Sequence, residues 1–256
     1  MFQPHSFLWH YLWAAPNILL AVLAIILWQR GLHRQYRAFF LYAGFQAVQW
    51  AVLYPIDVIP SVPAVDFWRA YSASAVIEFM IVFLLISDVF AEVFGEYAAL
   101  ARMGRTLIRW AGAVLLVAAL AVGARAPIPE NRYWLIPISH ILQEVMYIVV
   151  TGLMLLLFVS AAYFRLAWKR SIFGIALGFG ISGCVHLATW ALATNGALRN
   201  RRHLTDMVNM ATTHAVVVMW YYYLLVPGGK SKKPPGPPPD NNLVVWNQEL
   251  ERLLNR

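Results

Sequence analysis

Long apolar runs constrain this chain more than any other feature of it. A stretch such as AVLLVAALAV, at residues 113–122, offers no polar face to water. A bilayer hydrocarbon core about 30 Å thick is crossed by roughly 20 apolar residues in a helix. Seven segments meet that need: Leu8–Gln29, Ala38–Tyr54, Phe67–Phe90, Leu107–Gly123, Leu135–Phe164, Ile172–Thr194 and Asp206–Val226. Spanning strands would alternate apolar and polar residues over about ten positions, and these runs do not alternate. The expectation is an all-α, multi-pass integral membrane protein, a bundle of seven transmembrane helices. Composition agrees, with 61% hydrophobic and only 12% charged residues in 256. Soluble domains carry about 25% charged residues, so lipid is the natural solvent for the excess apolar surface.

Basic residues set the orientation. Arg30, Arg34, Arg37, Arg102, Arg105, Arg109, Arg165, Lys169, Arg170, Lys230, Lys232, Lys233, Arg252 and Arg256 fall on one side of the seven spans. Arg69, Arg125, Arg132, Arg199, Arg201 and Arg202 fall on the other. The richer side belongs in the cytoplasm, which puts the N-terminus outside and the C-terminus inside the cell membrane. The same bias accounts for the net charge of +8, so no nucleic-acid partner is implied. Cys184 is the single cysteine, which excludes an intrachain disulfide. The opening MFQPHSFLWHYLW lacks the basic start and small-residue cleavage site of a secretory signal.

Three parts follow along the chain. Residues 1–227 form the bundle, 228–242 a basic linker rich in proline and glycine, and 243–256 a cytoplasmic amphipathic helix. In that last helix Leu243, Trp246 and Leu250 recur at helical spacing, followed by Leu253 and Leu254. It suits the bilayer surface, a cytoplasmic protein partner or a second copy of the chain. The connection 91–106 reads as an interfacial helix with Phe94, Leu100 and Met103 towards lipid. Gly174 and Gly178 form a GxxxG that favours close helix packing, with oligomer contact as the alternative. Trp220, Tyr221, Tyr222 and Tyr223 read as an aromatic belt at the inner interface.

Polar residues within the spans are the chemical signal, because an ionisable group at the bilayer centre costs at least about 2.5–3.5 kcal/mol. His140 and Glu144 lie four apart, continued by Tyr147 and Thr151. Ser182, His186 and Thr189 make a second stripe, and Tyr71, Ser74 and Glu78 a third. Counted from the expected helix ends, Glu78, Glu144, His186 and His214 fall roughly 12–15 Å below the outer surface, with His140 one turn above. No lysine or arginine shares that layer. Two carboxylates without a guanidinium there must stay protonated, pair with histidinium or bind a metal.

The expectation is therefore a buried His/Glu site in the outer half, binding a transition metal or a histidine-ligated prosthetic group and acting on a lipid-soluble substrate. His140, Glu144, His186 and His214 are the candidate ligands. Glu78 is the candidate general base for a bound water. Zinc suits this donor set, iron or manganese suit its mixed nitrogen and oxygen ligands, and haem or another pigment is a further option. The alternative is a sensor or accessory subunit whose tail meets a cytoplasmic partner, the His/Glu layer then being a hydrogen-bonded network that fixes packing.

Two seven-helix classes are excluded at residue level. A retinal protein needs a Schiff-base lysine in its last span, and Lys169, Lys230, Lys232 and Lys233 all lie outside the spans. Intramembrane metal hydrolases of the ceramidase type carry an HxxxH in the last span, where this chain has only His214.

Overall fold

The computed structural model describes residues 6–59, 63–95, 135–163, 166, 168–194 and 202–226, together with 102, 104, 106, 109, 110, 113, 117, 245, 248 and 252. Among the described residues there are six long helices: α1 (Phe7–Gln29), α2 (Arg37–Val58), α3 (Ala64–Val93), α4 (Leu135–Tyr163), α5 (Arg170–Thr194) and α6 (Arg202–Leu225). The protein is all-α. Five of the six are long and apolar enough to cross a membrane. The other, α6, has 24 residues and spans about 36 Å, but Thr205, Asp206, Asn209, Thr212 and Thr213 make its first half polar. The expected span Leu107–Gly123 lies outside the described residues except for Arg109, Trp110, Ala113 and Val117. The linker lies outside them too, as does most of the tail helix, of which Val245, Gln248 and Arg252 are described.

Local chemistry sets the helix ends. Ser6 caps α1, its hydroxyl accepting from Trp9 N at 3.3 Å. The α1–α2 connection turns on Gly31, whose φ of +71° is left-handed and strains any residue with a Cβ. A short 3-10 turn, Leu32–Arg34, follows, and His33 stacks on Trp28 at 4.6 Å. Helix α2 stops at Ile59, the residue before Pro60, where the helical conformation is disfavoured.

The helices close a ring. Each packs against its neighbour in sequence, α4 follows α3 directly in space, and α6 packs back on α1. Glycines fix the tightest seam. A Cβ at Gly174 would collide with Tyr223, and one at Gly178 with Trp220, so these two hold α5 against α6; Gly183 similarly admits Thr151 of α4. The GxxxG is thus used within the bundle.

The ring has two unlike halves. In one, Leu23 and Leu27 of α1, Phe39 of α2, Leu85 and Ile86 of α3, Leu157 of α4, Ile175 of α5 and Val217 of α6 form a packed apolar core. Phe94 belongs to that core at 4% exposure, against the expectation that it faces lipid, because it folds back onto Phe90 at 5.9 Å. The outward surface is apolar as well, with Met80, Leu155 and Val48 more than 60% exposed, as lipid-facing positions are. The other half is hollow.

Cross-links at the packed end give the helix directions. Arg30 Nη1, just after α1, donates to Leu225 O at the end of α6 at 3.4 Å. Lys169, just before α5, pairs with Glu92 near the end of α3. Hence α1, α3 and α6 finish at the packed end, and α5 begins there.

Candidate functional site

The hollow half holds a cavity of about 270 Å³ that all six helices line. That is just under the roughly 300 Å³ at which ligand pockets usually begin. Each helix contributes one face. Helix α2 gives Tyr42, Gln46, Gln49 and Leu53, spaced four, three and four apart. Helix α3 gives Phe67, Tyr71 and Glu78; α4 gives Gln143 and Tyr147; α5 gives Phe179, Ser182 and His186; α6 gives Asn209, Thr213, Val216 and Trp220. Helix α1 adds Trp13, Pro16 and Asn17. Pro16 has no N–H to donate to Leu12 O, and, one residue on, Asn17 Nδ2 donates to Trp13 O at 2.8 Å.

An aromatic floor divides the cavity from the packed half. Phe179 lies 5.0 Å from Tyr42 and 5.4 Å from Trp220, and Trp220 meets Phe39 edge-on at 5.0 Å. At 3% exposure Trp220 is a floor residue and not part of an interfacial belt. Of the expected belt only Tyr222 is exposed, with the Arg170 guanidinium 4.5 Å over its ring. Tyr221 donates its hydroxyl to Leu19 O at 2.6 Å, and Tyr223 fills the space over Gly174.

Above the floor the walls are wired together. Gln46 Nε2 donates to Glu78 Oε1 at 2.7 Å, joining α2 to α3. Gln49 Nε2 donates to Ser74 Oγ at 2.8 Å, and that hydroxyl donates to Tyr71 O at 2.8 Å. The Tyr71 hydroxyl then donates to Gln143 Oε1 at 3.0 Å, joining α3 to α4. Across the ring, the Thr189 hydroxyl lies 2.9 Å from His186 O and 3.0 Å from Asn209 Oδ1, joining α5 to α6. The His186 ring rests on Tyr147 with centroids 4.0 Å apart. Three buried polar atoms on the lining, His186 Nδ1, Trp50 Nε1 and Trp220 Nε1, have no hydrogen-bond partner among the described residues. Such groups are costly in a low-dielectric interior and mark where an external partner would bind.

Of the five residues expected at one site, the cavity lining contains Glu78 and His186. Glu144 and His214 are not on it, and each misses by one position. Gln143 lines the cavity in place of Glu144, and Thr213 in place of His214. One residue is about 100° of helix rotation, enough to turn a side chain from the cavity to a flank. His214 packs instead against the Tyr11 ring of α1 at 5.8 Å. The backbone of His140 belongs to α4, but its side chain lies outside the described residues. Among the described residues no three His, Cys, Asp or Glu side chains gather as a metal would need. The sequence reasoning passed over Trp13, Tyr42, Trp50, Phe179 and Trp220 as lining residues. Their signal was spacing, since Trp220 follows Asn209, Thr213 and Val216 on one helical face.

A second cavity, of about 220 Å³, lies at the packed end, where Tyr36, Phe39, Asp88, Glu92 and Ile175 are among its walls. The chain matches no protein-family model, no curated protein and no solved structure.

Proposed function

We propose that this chain is a seven-helix membrane sensor or accessory subunit that binds a small ligand in the hollow half of its bundle. Its N-terminus is outside, its C-terminus is in the cytoplasm, and its tail relays occupancy to a cytoplasmic partner. The observation that carries this reading is the cavity itself. A bundle with one half packed to near-zero exposure keeps in its other half a space walled by Glu78, His186, Gln46, Gln49 and Tyr71. Polar groups at that depth in lipid are expensive, and a ligand that uses them supplies the return.

Helix directions support the seventh crossing. Both α3 and α4 contribute their N-terminal halves to the cavity, so both run away from it. Residues 94–134 between them must therefore return to the cavity end, and they contain the apolar run Leu107–Gly123. The packed end carries the richer set of basic residues and so belongs in the cytoplasm.

Among the described residues the lining offers a metal only Glu78 and His186, whereas hydrogen-bonding groups and rings are plentiful, which favours a molecule held by those. The test is a fragment library screened by thermal shift on the full chain in lipid nanodiscs, with His186→Ala as the control. The expected result is at least one fragment that raises Tm in the wild type and loses that effect in the variant. A library with no such fragment contradicts the reading.

A further inference from the structure

We infer that the ligand of this cavity is a compact organic cation, an ammonium group carried on a small apolar body. The inference rests on the ligand-binding reading above and names the chemical class that the walls select.

Charge comes first. Among the described residues, Glu78 is the one carboxylate on the lining, and no lysine or arginine joins it there. The donor that reaches its Oε1 is Gln46, a neutral amide. An amide hydrogen bond orients a carboxylate but does not balance its charge. A cationic ligand supplies both the missing charge and further donors.

Ring chemistry comes second. Trp50, Tyr71, Tyr147 and Phe179 line the same space as Glu78. Aromatic faces carry negative potential, so they attract an ammonium group, most strongly when it is desolvated. The same faces repel an anion. A wall of rings that holds, among the described residues, one carboxylate and no lysine or arginine is therefore selective by sign.

Hydrogen-bond capacity comes third. A primary ammonium has three donors and no acceptor. Glu78 accepts one of them, and the unpartnered His186 Nδ1 is available, as a neutral imidazole, to accept a second. Trp50 Nε1, also unpartnered, remains to donate to an oxygen elsewhere on the ligand. Volume bounds the rest: about 270 Å³ equals the liquid volume of about nine waters, so one ring and a short amine arm is the expected scale.

The experiment compares three probes of nearly the same shape on the full wild-type chain in nanodiscs: 2-phenylethylammonium chloride, 2-phenylethanol and sodium 3-phenylpropionate. Binding is read from tryptophan fluorescence, since Trp13, Trp50 and Trp220 line the cavity, and from thermal shift. The ammonium probe is expected to bind about tenfold or more tightly than the alcohol, and the carboxylate probe not at all. In Glu78→Gln the ammonium preference should vanish while the alcohol affinity stays. An alcohol equal to or better than the ammonium in the wild type overturns the cation inference and leaves the ligand-binding reading standing. Absence of binding by all three overturns both. The wild-type comparison is decisive even if the variant fails to fold.

Discussion

Gln46 Nε2 donates a 2.7 Å hydrogen bond to Glu78 Oε1, and with Gln49 on Ser74 this contact ties α2 to α3 at the wall of the cavity. It sets the geometry in which the carboxylate is presented. Replacing Gln46 with leucine leaves that oxygen without its donor. The expected cost is roughly 1–2 kcal/mol, or a few degrees in Tm, in line with polar contacts between membrane helices. Thermal unfolding in detergent reads it. Glu78→Gln, which keeps a hydrogen-bonding group at the same place, should cost less than Gln46→Leu, and the reverse order would place the contact outside the stable core.

Glycines give a sharper contrast. Gly174→Val and Gly178→Val drive a side chain into Tyr223 and Trp220, and each should destabilise by roughly 2–3 kcal/mol. Gly44 and Gly152 face open space, so Gly44→Ala and Gly152→Ala should be neutral or stabilise by about 0.5–1 kcal/mol. Light scattering should find the oligomeric state of all four unchanged, because the α5 seam is filled within one bundle.

Of the three histidines expected at one site, His186 and His214 should separate. His186→Ala should weaken binding of any cavity ligand, since Nδ1 lies on the lining without a partner. His214→Ala should leave affinity within about twofold, because its ring packs on Tyr11 away from the lining. Titration of both variants with a fragment selected on the wild type measures this, and equal losses would return His214 to the site.

Topology and tail are read by labelling. In a Cys184→Ser background, Ala197→Cys should react with an impermeant thiol reagent on intact cells, and Lys232→Cys only after permeabilisation. Truncation after Lys233 should leave Tm unchanged and remove an interaction with the membrane surface or a cytoplasmic protein. Labelling of both cysteines from one side would contradict seven crossings.

Much of the fold was legible because membrane helices announce themselves by length. Every long helix overlaps a segment visible as an apolar run, and counting residues at 1.5 Å each puts Glu78 and His186, which both line the cavity, at one level. Rotation about the helix axis was not legible. Gln143 and Glu144 are adjacent and both polar, as are Thr213 and His214, and a period of 3.6 residues does not say which of two neighbours faces inward. Chemical reactivity favours Glu144 and His214 of these pairs, but Gln143 and Thr213 take the lining positions. Trp220 was misread for a related reason. Position at a helix end suggests an interfacial belt, but the gap beside Gly178 draws that ring into the bundle.

The central claim is that the bundle is hollow around Glu78 and His186 and close-packed around Leu23, Ile86 and Val217, and thiol reactivity measures that difference directly. In the Cys184→Ser background, Ser182→Cys on the cavity wall is compared with Ala176→Cys, at 0% exposure in the packed half and less than two helical turns away on the same helix. The account predicts that methyl methanethiosulfonate modifies Ser182→Cys in the folded protein and leaves Ala176→Cys untouched until the protein is denatured. Equal inertness of the two in the folded state would contradict it.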